Sequence, residues 1–424
     1  SELATDSRRE RGESGSIPPS RPSSRAGSDT PHARTMNALV FNAYGKTEDV
    51  CKVEKIPRPE EKDLKPGEML IKVQAAALNP IDIVRIKGGL KALRPEPSFP
   101  AVVGFDVAGE VIAVKPAEKA DGVEFKVGDE VAARMAGSRP GSVAEYAIVS
   151  FGVAAKKPKD LSWGDAASLG LAGQTAIQAF RKGEVKEGDK VFISGGAGGV
   201  GTLAIQLAKK VFKVGTVATT ASPGEKSELC KALGADVVIN YKSEKFEEKL
   251  KDYDFAFDTT GEADRMCSIL KPGKKVVSIS GTPTVESLQG IGMKPGLMIR
   301  FFLWMKKDSS RFRAANTHNV KYSYLFLNPN AADMKILVDA AGAKDIRAVI
   351  DSKYKLIEGT KAVSRMESGR CKGKVVIFTE EAVNEPKESD IKDEGKEQTK
   401  AETNEETKEE TNEETKAETN EETK

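Results

Sequence analysis

Residues Ser194–Gly201 read SGGAGGVG. The apolar run Val191–Ile193 precedes them, and the stretch GTLAIQLAKKV, ending at Val211, follows. Gly196, Gly198 and Gly201 have G-x-G-x-x-G spacing, and the flanks decide what that spacing means. A strand (Lys190–Ser194) leads in and an apolar-periodic helix, to about Lys210, leads out. In that context the glycines form a strand–turn–helix unit that receives a dinucleotide. Gly196 is expected to permit the tight turn and Gly198 to let the backbone approach a pyrophosphate. Gly201 is expected to let helix and strand pack closely. Gly199 and Val200 complete a loop whose free N–H groups and helix dipole favour an anion. Thr202-Leu203 stands where a nucleoside-triphosphate loop requires Lys-Ser/Thr, which excludes that reading.

Outward from the loop, strands and helices alternate. Strands are predicted at Gly215–Thr220, Asp236–Asn240, Asp254–Asp258, Lys275–Ser280 and Val320–Phe326, with helices at Trp163–Phe180 and Glu225–Leu233. That rhythm implies a doubly wound parallel sheet. The earlier stretches EMLIKVQAAAL, VAGEVIAV, DEVAARM and VAEYAIV read as strands of a compact β-barrel. IRAVIDSKYKL, a helix near Glu358–Glu367 and KVVIF resemble this first part, so the chain is expected to return to it. The plan is a leader (1–35), a first barrel part (36–162), a dinucleotide domain (163–344), a return to the barrel (345–379) and a tail (380–424).

The net charge of +2 hides a division: over 380–424, 18 acidic side chains face 7 lysines, so the body is basic. A basic body suits phosphorylated ligands, but no basic run carries interleaved aromatics, and nucleic acid is not expected as a partner. The tail ends in AETNEETK, EETNEETK and AETNEETK, with nothing apolar to bury, so it reads as disordered. The leader is rich in Ser, Pro and Gly, has six Arg and five acids, and also reads as disordered. The chain opens on Ser1, as a fragment or processed product would. Four cysteines without Cys-x-x-Cys spacing read as reduced thiols, and the expected location is cytoplasmic, with organelle import through the leader as the alternative. Two histidines, His32 and His318, leave little for a Ser–His or Cys–His pair. No apolar run approaches the ~20 residues of a membrane span. GLMIRFFLWM (Gly296–Met305) reads as a half-buried helix over a pocket or neighbour, or as a weak membrane-surface contact near 296–313.

The residues after the second strand choose the dinucleotide. An NAD site places an acid there, on the ribose 2′-hydroxyl. This chain has TTASPGEK (Thr219–Lys226). Ser222 donates a hydrogen bond and Lys226 brings charge, both suited to a 2′-phosphate, while Glu225 is expected to point along the new helix. NADPH is the expected cofactor.

These features, together with AAALNPIDIVRIKGG, FPAVVGFDVAGEV, GSVAEYAIV, AASLGLAGQTAIQAF, LGADVVINYKSEKF and MESGRCKGKVVIF, give a likeness spanning roughly 36–378. The chain resembles the medium-chain dehydrogenase/reductase superfamily, in its zinc-free quinone oxidoreductase and alkenal/enone oxidoreductase branch. The resemblance implies an α/β protein with a GroES-like β-barrel catalytic domain and a Rossmann sheet, the active site in the cleft between them. It implies that Tyr241 and Lys226 line the 2′-phosphate pocket. Thr175, Thr260, Ser280 and Gly281 match positions that flank the nicotinamide, and Asn79 matches the Asn on the substrate side. It also suggests a homodimer through edge strands, with VKYSYLFL as the contact.

Zinc-dependent members of that superfamily carry Gly-His-Glu and a run of four cysteines. Here Gly104-Phe105-Asp106 stands in the first place and the run is missing, so no metal is expected. Without such a Lewis acid, reversible alcohol oxidation is disfavoured. Plant enone reductases commonly have Lys where this chain has Val84, and thioester reductases a Tyr where it has Leu90. Tyr241-Lys242-Ser243-Glu244-Lys245 mimics the Tyr-x-x-x-Lys of short-chain dehydrogenases, but follows a third strand rather than lying on the helix that family uses. The expected reaction is hydride transfer from NADPH to a conjugated carbonyl, an enone, an enal or a quinone. Asn79 is the candidate donor to the developing oxyanion, and Tyr146 or water the proton source. The alternative is a catalytically weak NADPH-binding scaffold, or an RNA- or partner-binding protein of the same fold.

Overall fold

The computed structural model describes residues 34–379, apart from 92–94, 118–123, 137–140, 282, 291, 293, 295 and 306–309. The repeat tail and the leader up to residue 33 lie outside the described residues. β1 (Thr35–Phe41) begins inside the stretch read as leader and pairs antiparallel with β2 (Cys51–Pro57). β3 (Glu68–Leu78) is the spine of a larger sheet, and β4 (Ala101–Val102) closes the small sheet on the other side of β1. The larger sheet continues with β5 (Asp106–Lys115), β6 (Glu130–Arg134), β7 (Tyr146–Ser150) and β8 (Ala154–Lys156). β5 and β7 both pair with β3, β6 with β5, and β8 with β6, all antiparallel. VAEYAIV thus becomes a strand only from Tyr146. The short helix α1 (Pro80–Ile86) leaves the end of β3, with Asn79 as its N-cap and Pro80 in its first turn, where a missing N–H costs nothing.

The long helix α2 (Trp163–Gly183) starts at Ser162, whose hydroxyl accepts the Asp165 N–H at 3.1 Å, and stops at Glu184 with a left-handed φ of 58°. It is buried nearly all round because it lies between two sheets. Alanines of α2 meet Ala75, Ala77, Ala108 and Ala132 of the barrel sheet, so small residues on both sides set a close approach. On its other side Phe180 packs edge-on against Phe212, Phe255 and Phe257, with centroids 5.0–6.2 Å apart. A buried Phe of this kind contributes about 1.5–3 kcal/mol.

β9 (Lys190–Ile193), β10 (Thr216–Ala221), β11 (Val237–Asn240), β12 (Tyr253–Asp258), β13 (Leu270–Ser278) and β14 (Lys321–Tyr324) form a parallel sheet in the order β11-β10-β9-β12-β13-β14. β13 begins at Leu270 rather than Lys275, across a register shift between Tyr253 and Phe255. α3 (Gly199–Lys210) and α4 (Glu225–Ala232) connect β9 to β10 and β10 to β11. The winding reverses between β9 and β12, and a sheet of this kind opens a ligand crevice at the carboxyl ends of its strands there. β15 (Ile350–Lys355) and β16 (Lys374–Phe378) then rejoin the larger sheet, with β16 antiparallel to β3 from Val375↔Leu78 to Phe378↔Ala75. The helix Leu297–Met305 forms, and Leu297, Met298 and Phe301, on one face of it, are 87%, 82% and 55% exposed.

Candidate active site

The glycine loop is tied to both neighbouring strands. The Ser194 N–H donates to the Phe257 carbonyl at 3.1 Å, and the Thr259 hydroxyl donates back to the Ser194 carbonyl at 2.7 Å. The left-handed turn falls on Gly195, with φ +66°, and not on Gly196 as the spacing suggested. Gly196 serves a close approach instead: a Cβ there would lie 2.3 Å from Thr219 Oγ1 and 3.0 Å from Cys230 Sγ. At Gly201 a Cβ would lie 2.3 Å from the Gly195 carbonyl oxygen, which accounts for the packing of α3 against the loop. Gly198 caps α3 with no side-chain acceptor, and Val200 lies in its first turn. The first N–H groups of the helix are therefore left for an anion, and the bare backbone gives one room to approach.

Ser222 and Tyr241 follow the paired strand ends Ala221 and Asn240. Tyr241 is 57% exposed. Lys226, in the first turn of α4, donates to the Arg370 carbonyl at 3.2 Å, and Lys372 forms an ion pair with Glu225. Glu225 is thus engaged by a lysine. Arg370 and Lys372 were not foreseen; they arrive from the segment before β16, 144 and 147 residues along the chain from their partners.

Around Asn79 the groups are buried. Asn79 Nδ2 donates to Asp106 Oδ2 at 2.9 Å and to the Ala77 carbonyl at 3.3 Å. Lys374 Nζ donates to Asn79 Oδ1 and, at 3.1 Å, to Asp106 Oδ2. The other Asp106 oxygen accepts the Leu171 N–H at 2.7 Å, and the Thr175 hydroxyl donates to the Leu171 carbonyl at 2.6 Å. Gly170 has no room for a Cβ, which would sit 2.6 Å from Asp106 Oδ1. Asp82 Oδ2 accepts the Asn79 N–H at 2.8 Å, its Oδ1 is buried without a hydrogen-bond partner, and burial raises its carboxyl to about 7.

Thr260, Ser280 and Gly281 lie on two loops held by one buried carboxylate. Asp258 Oδ1 accepts the N–H groups of Thr260, Gly261 and Glu262 at 3.2, 2.7 and 2.9 Å, and Oδ2 accepts the Ser278 hydroxyl at 2.7 Å. The Ser280 N–H donates to Ser278 Oγ at 3.2 Å. A Cβ on Gly281 would meet the Tyr322 hydroxyl at 2.3 Å. Tyr146 is placed elsewhere. It opens β7 opposite Lys72, packs beside Met36, Ala38 and Ala144, and lies under the Arg58 guanidinium at 3.7 Å. The structure does not bring it to the Asn79 cluster or the glycine loop.

Known proteins match both parts of the chain. The alcohol dehydrogenase GroES-like domain family matches residues 65–159, and the zinc-binding dehydrogenase family residues 233–377. The 2-methylene-furan-3-one reductase of Solanum lycopersicum is 36% identical over 81% of this chain and 79% of its own length. The chloroplastic NADPH-dependent alkenal/one oxidoreductase of Arabidopsis thaliana is 36% identical over 81% and 80%. The solved quinone oxidoreductase of Coxiella burnetii is 32% identical, covers 82% of this chain and all of its own, and has a TM-score of 0.68. A mycobacterial protein solved with NADPH is 26% identical over 81% of this chain and all of its own, with a TM-score of 0.63. Fold and site together define an oxidoreductase that uses a nicotinamide cofactor. The chain belongs to the medium-chain dehydrogenase/reductase superfamily, in its quinone and alkenal/enone oxidoreductase branch.

Zinc, which one matched family carries in its description, does not fit the residues present. Cys51, Cys230 and Cys267 are buried and free, and burial lifts their thiols to about 11, 11 and 12, away from the thiolate a metal needs. Among the described residues no three His, Cys, Asp or Glu side chains gather as a metal site. Among them, too, no helix is long and apolar enough to cross a membrane.

Proposed function

We propose that the protein is an NADPH-dependent reductase of conjugated carbonyls, acting on the C=C bond of enones and enals or on quinones. The observation that carries the reading is the charge at the exposed rim. The Lys226 ammonium reaches the Arg370 carbonyl and Lys372 neutralises Glu225, so lysines line the stretch where an NAD site would present a free acid. Ser222 and Tyr241 complete a pocket of the right chemistry for a 2′-phosphate. The names of the tomato and Arabidopsis relatives support the same chemistry.

Bound in the groove, the dinucleotide supplies the hydride. The chain holds and orients it. Gly198, Gly199 and Val200 offer backbone to the pyrophosphate, Gly196 and Gly201 let strand and helix close up behind it, and Thr175, Thr260, Ser280 and Gly281 flank the nicotinamide. Asn79 lines the acceptor side. A carbonyl oxygen that gains charge needs preorganised donors, and Asn79, whose Nδ2 makes only a long 3.3 Å bond to the Ala77 carbonyl besides its bond to Asp106, is the one we assign. Water is the proton source we favour, since Tyr146 packs under Arg58. A homodimer through the edge strand β14 belongs to the same reading.

The test is NADPH oxidation with a short-chain enone and a quinone as paired acceptors, with NADH as control and the products identified. Enone turnover to the saturated ketone establishes double-bond reduction, and quinone turnover alone narrows the reading to quinones. A preference for NADH, or no turnover with either acceptor, would overturn it.

A further inference from the structure

Lys374 is 2% exposed, Asp106 is 0% exposed and Asn79 is 2% exposed, and they come from three separate segments, 27 and 268 residues apart. Burying an ion pair is costly, and well-packed apolar side chains often serve stability as well or better. What an apolar side chain cannot supply is direction. An ammonium only donates, so Lys374 requires the oxygen of the Asn79 carboxamide to face it. Nδ2 is then turned toward Asp106 and the Ala77 carbonyl. The same lysine is in contact with the dinucleotide loop. Its Cδ lies 3.1 Å from where a Cβ on Gly199 would stand. The preceding residue, Gly373, donates its N–H to the Ala197 carbonyl at 3.0 Å and bridges Gly198. One residue therefore joins the backbone that meets a pyrophosphate to the amide on the acceptor side. Asp106 extends the link to Leu171 and, through it, to Thr175.

We infer that Lys374 is a positioning residue that transmits dinucleotide occupancy of the glycine loop to the Asn79 carboxamide and the α2 turn at Leu171. The inference rests on the groove's being a dinucleotide site, but not on which carbonyl is reduced. Occupancy that shifts Ala197–Gly199 carries Gly373 and Lys374 with it, and the amide follows because its oxygen is held by the ammonium. Asp106 and Asn79 act within the same unit.

The test combines hydrogen exchange and kinetics on the full chain, with NADP⁺ for exchange and NADPH plus an enone for turnover. In the wild type, NADP⁺ slows exchange both at 197–202 and at the distant segments 79–86 and 168–175. Lys374→Met keeps the first effect and loses the second. Its kcat falls by about 10- to 100-fold, while the KM for NADPH stays within about threefold. Lys374→Arg, which keeps the charge and the donors, recovers part of kcat and of the distant effect. The inference is overturned if Lys374→Met retains the distant effect. It is also overturned if melting temperature, cofactor affinity and kcat fall together without rescue by Arg, since that marks a structural role. A wild type that binds NADP⁺ but reduces no enone or quinone sinks the proposed reaction, while the exchange pattern still decides the role of Lys374. A wild type that binds no NADP⁺ removes the basis of both.

Discussion

The glycine loop and its rim present bare backbone and exposed cations. The cluster around Asn79, joined to that loop through Lys374, buries an ammonium, two carboxylates and an amide. The glycine loop works by what its residues lack, so that helix, strand and ligand approach one another closely. The Asn79–Asp106–Lys374 cluster works by directed hydrogen bonds among groups withdrawn from water. The first arrangement tolerates rearrangement of its exposed side chains but no added Cβ at Gly196 or Gly201. The second depends on every partner being present, because an unpaired buried charge is far costlier than an absent one.

The largest effect is expected where that dependence is broken. Asp106→Ala leaves the Lys374 ammonium buried without its counter-charge and should cost about 3–5 kcal/mol in urea denaturation. The double variant Asp106→Leu with Lys374→Met should recover much of that loss. A single variant within about 1 kcal/mol of wild type would show that the two regions do not differ in kind. Next comes Gly201→Ala, whose new Cβ would meet backbone at 2.3 and 2.7 Å with nothing flexible to give way. It should cost about 1–3 kcal/mol of stability and weaken dinucleotide binding, read by thermal melting and fluorescence titration.

At the exposed rim, Lys226→Ala should lower the preference for NADPH over NADH roughly tenfold, with little change in melting temperature. Equal loss toward both cofactors would place the lysine outside the 2′-phosphate pocket. The smallest effect is a pH dependence. Burial raises the Asp82 carboxyl to about 7 in the folded chain, above its ordinary unfolded value. Its contribution to stability is therefore complete at low pH, below the unfolded value, and is lost as pH rises through 7. Between pH 6 and 8 wild type should lose about 1 kcal/mol that Asp82→Asn does not. Matched pH profiles for the two proteins would remove Asp82 as the cause.

The same contrast explains what was legible beforehand. A glycine loop is contiguous, and its strand and helix lie on either side of it, so the dinucleotide fold can be read from one window. β16 was equally plain, as the apolar run KVVIF. The buried cluster is scattered: Asn79 ends one strand, Asp106 begins another, and Lys374 sits at the head of KVVIF. The one local signal for Lys374 was a charge opening an otherwise apolar strand, which also describes many solvent-facing lysines. Arg370 and Lys372 reach the rim by the return of the chain, and no local pattern announces that contact. The left-handed turn moved from Gly196 to Gly195 for a related reason: the spacing counts glycines, whereas the crowding at Thr219 and Cys230 decides which of them needs to be bare.

The most direct measurement is equilibrium binding of NADPH and NADH to the full chain, followed by intrinsic fluorescence, for wild type and for Lys226→Ala. NADPH binding at least about tenfold more tightly than NADH, with that margin reduced in the variant, is the expected result. Equal affinities in the wild type, or tighter binding of NADH, would contradict a groove whose exposed rim is built for a 2′-phosphate.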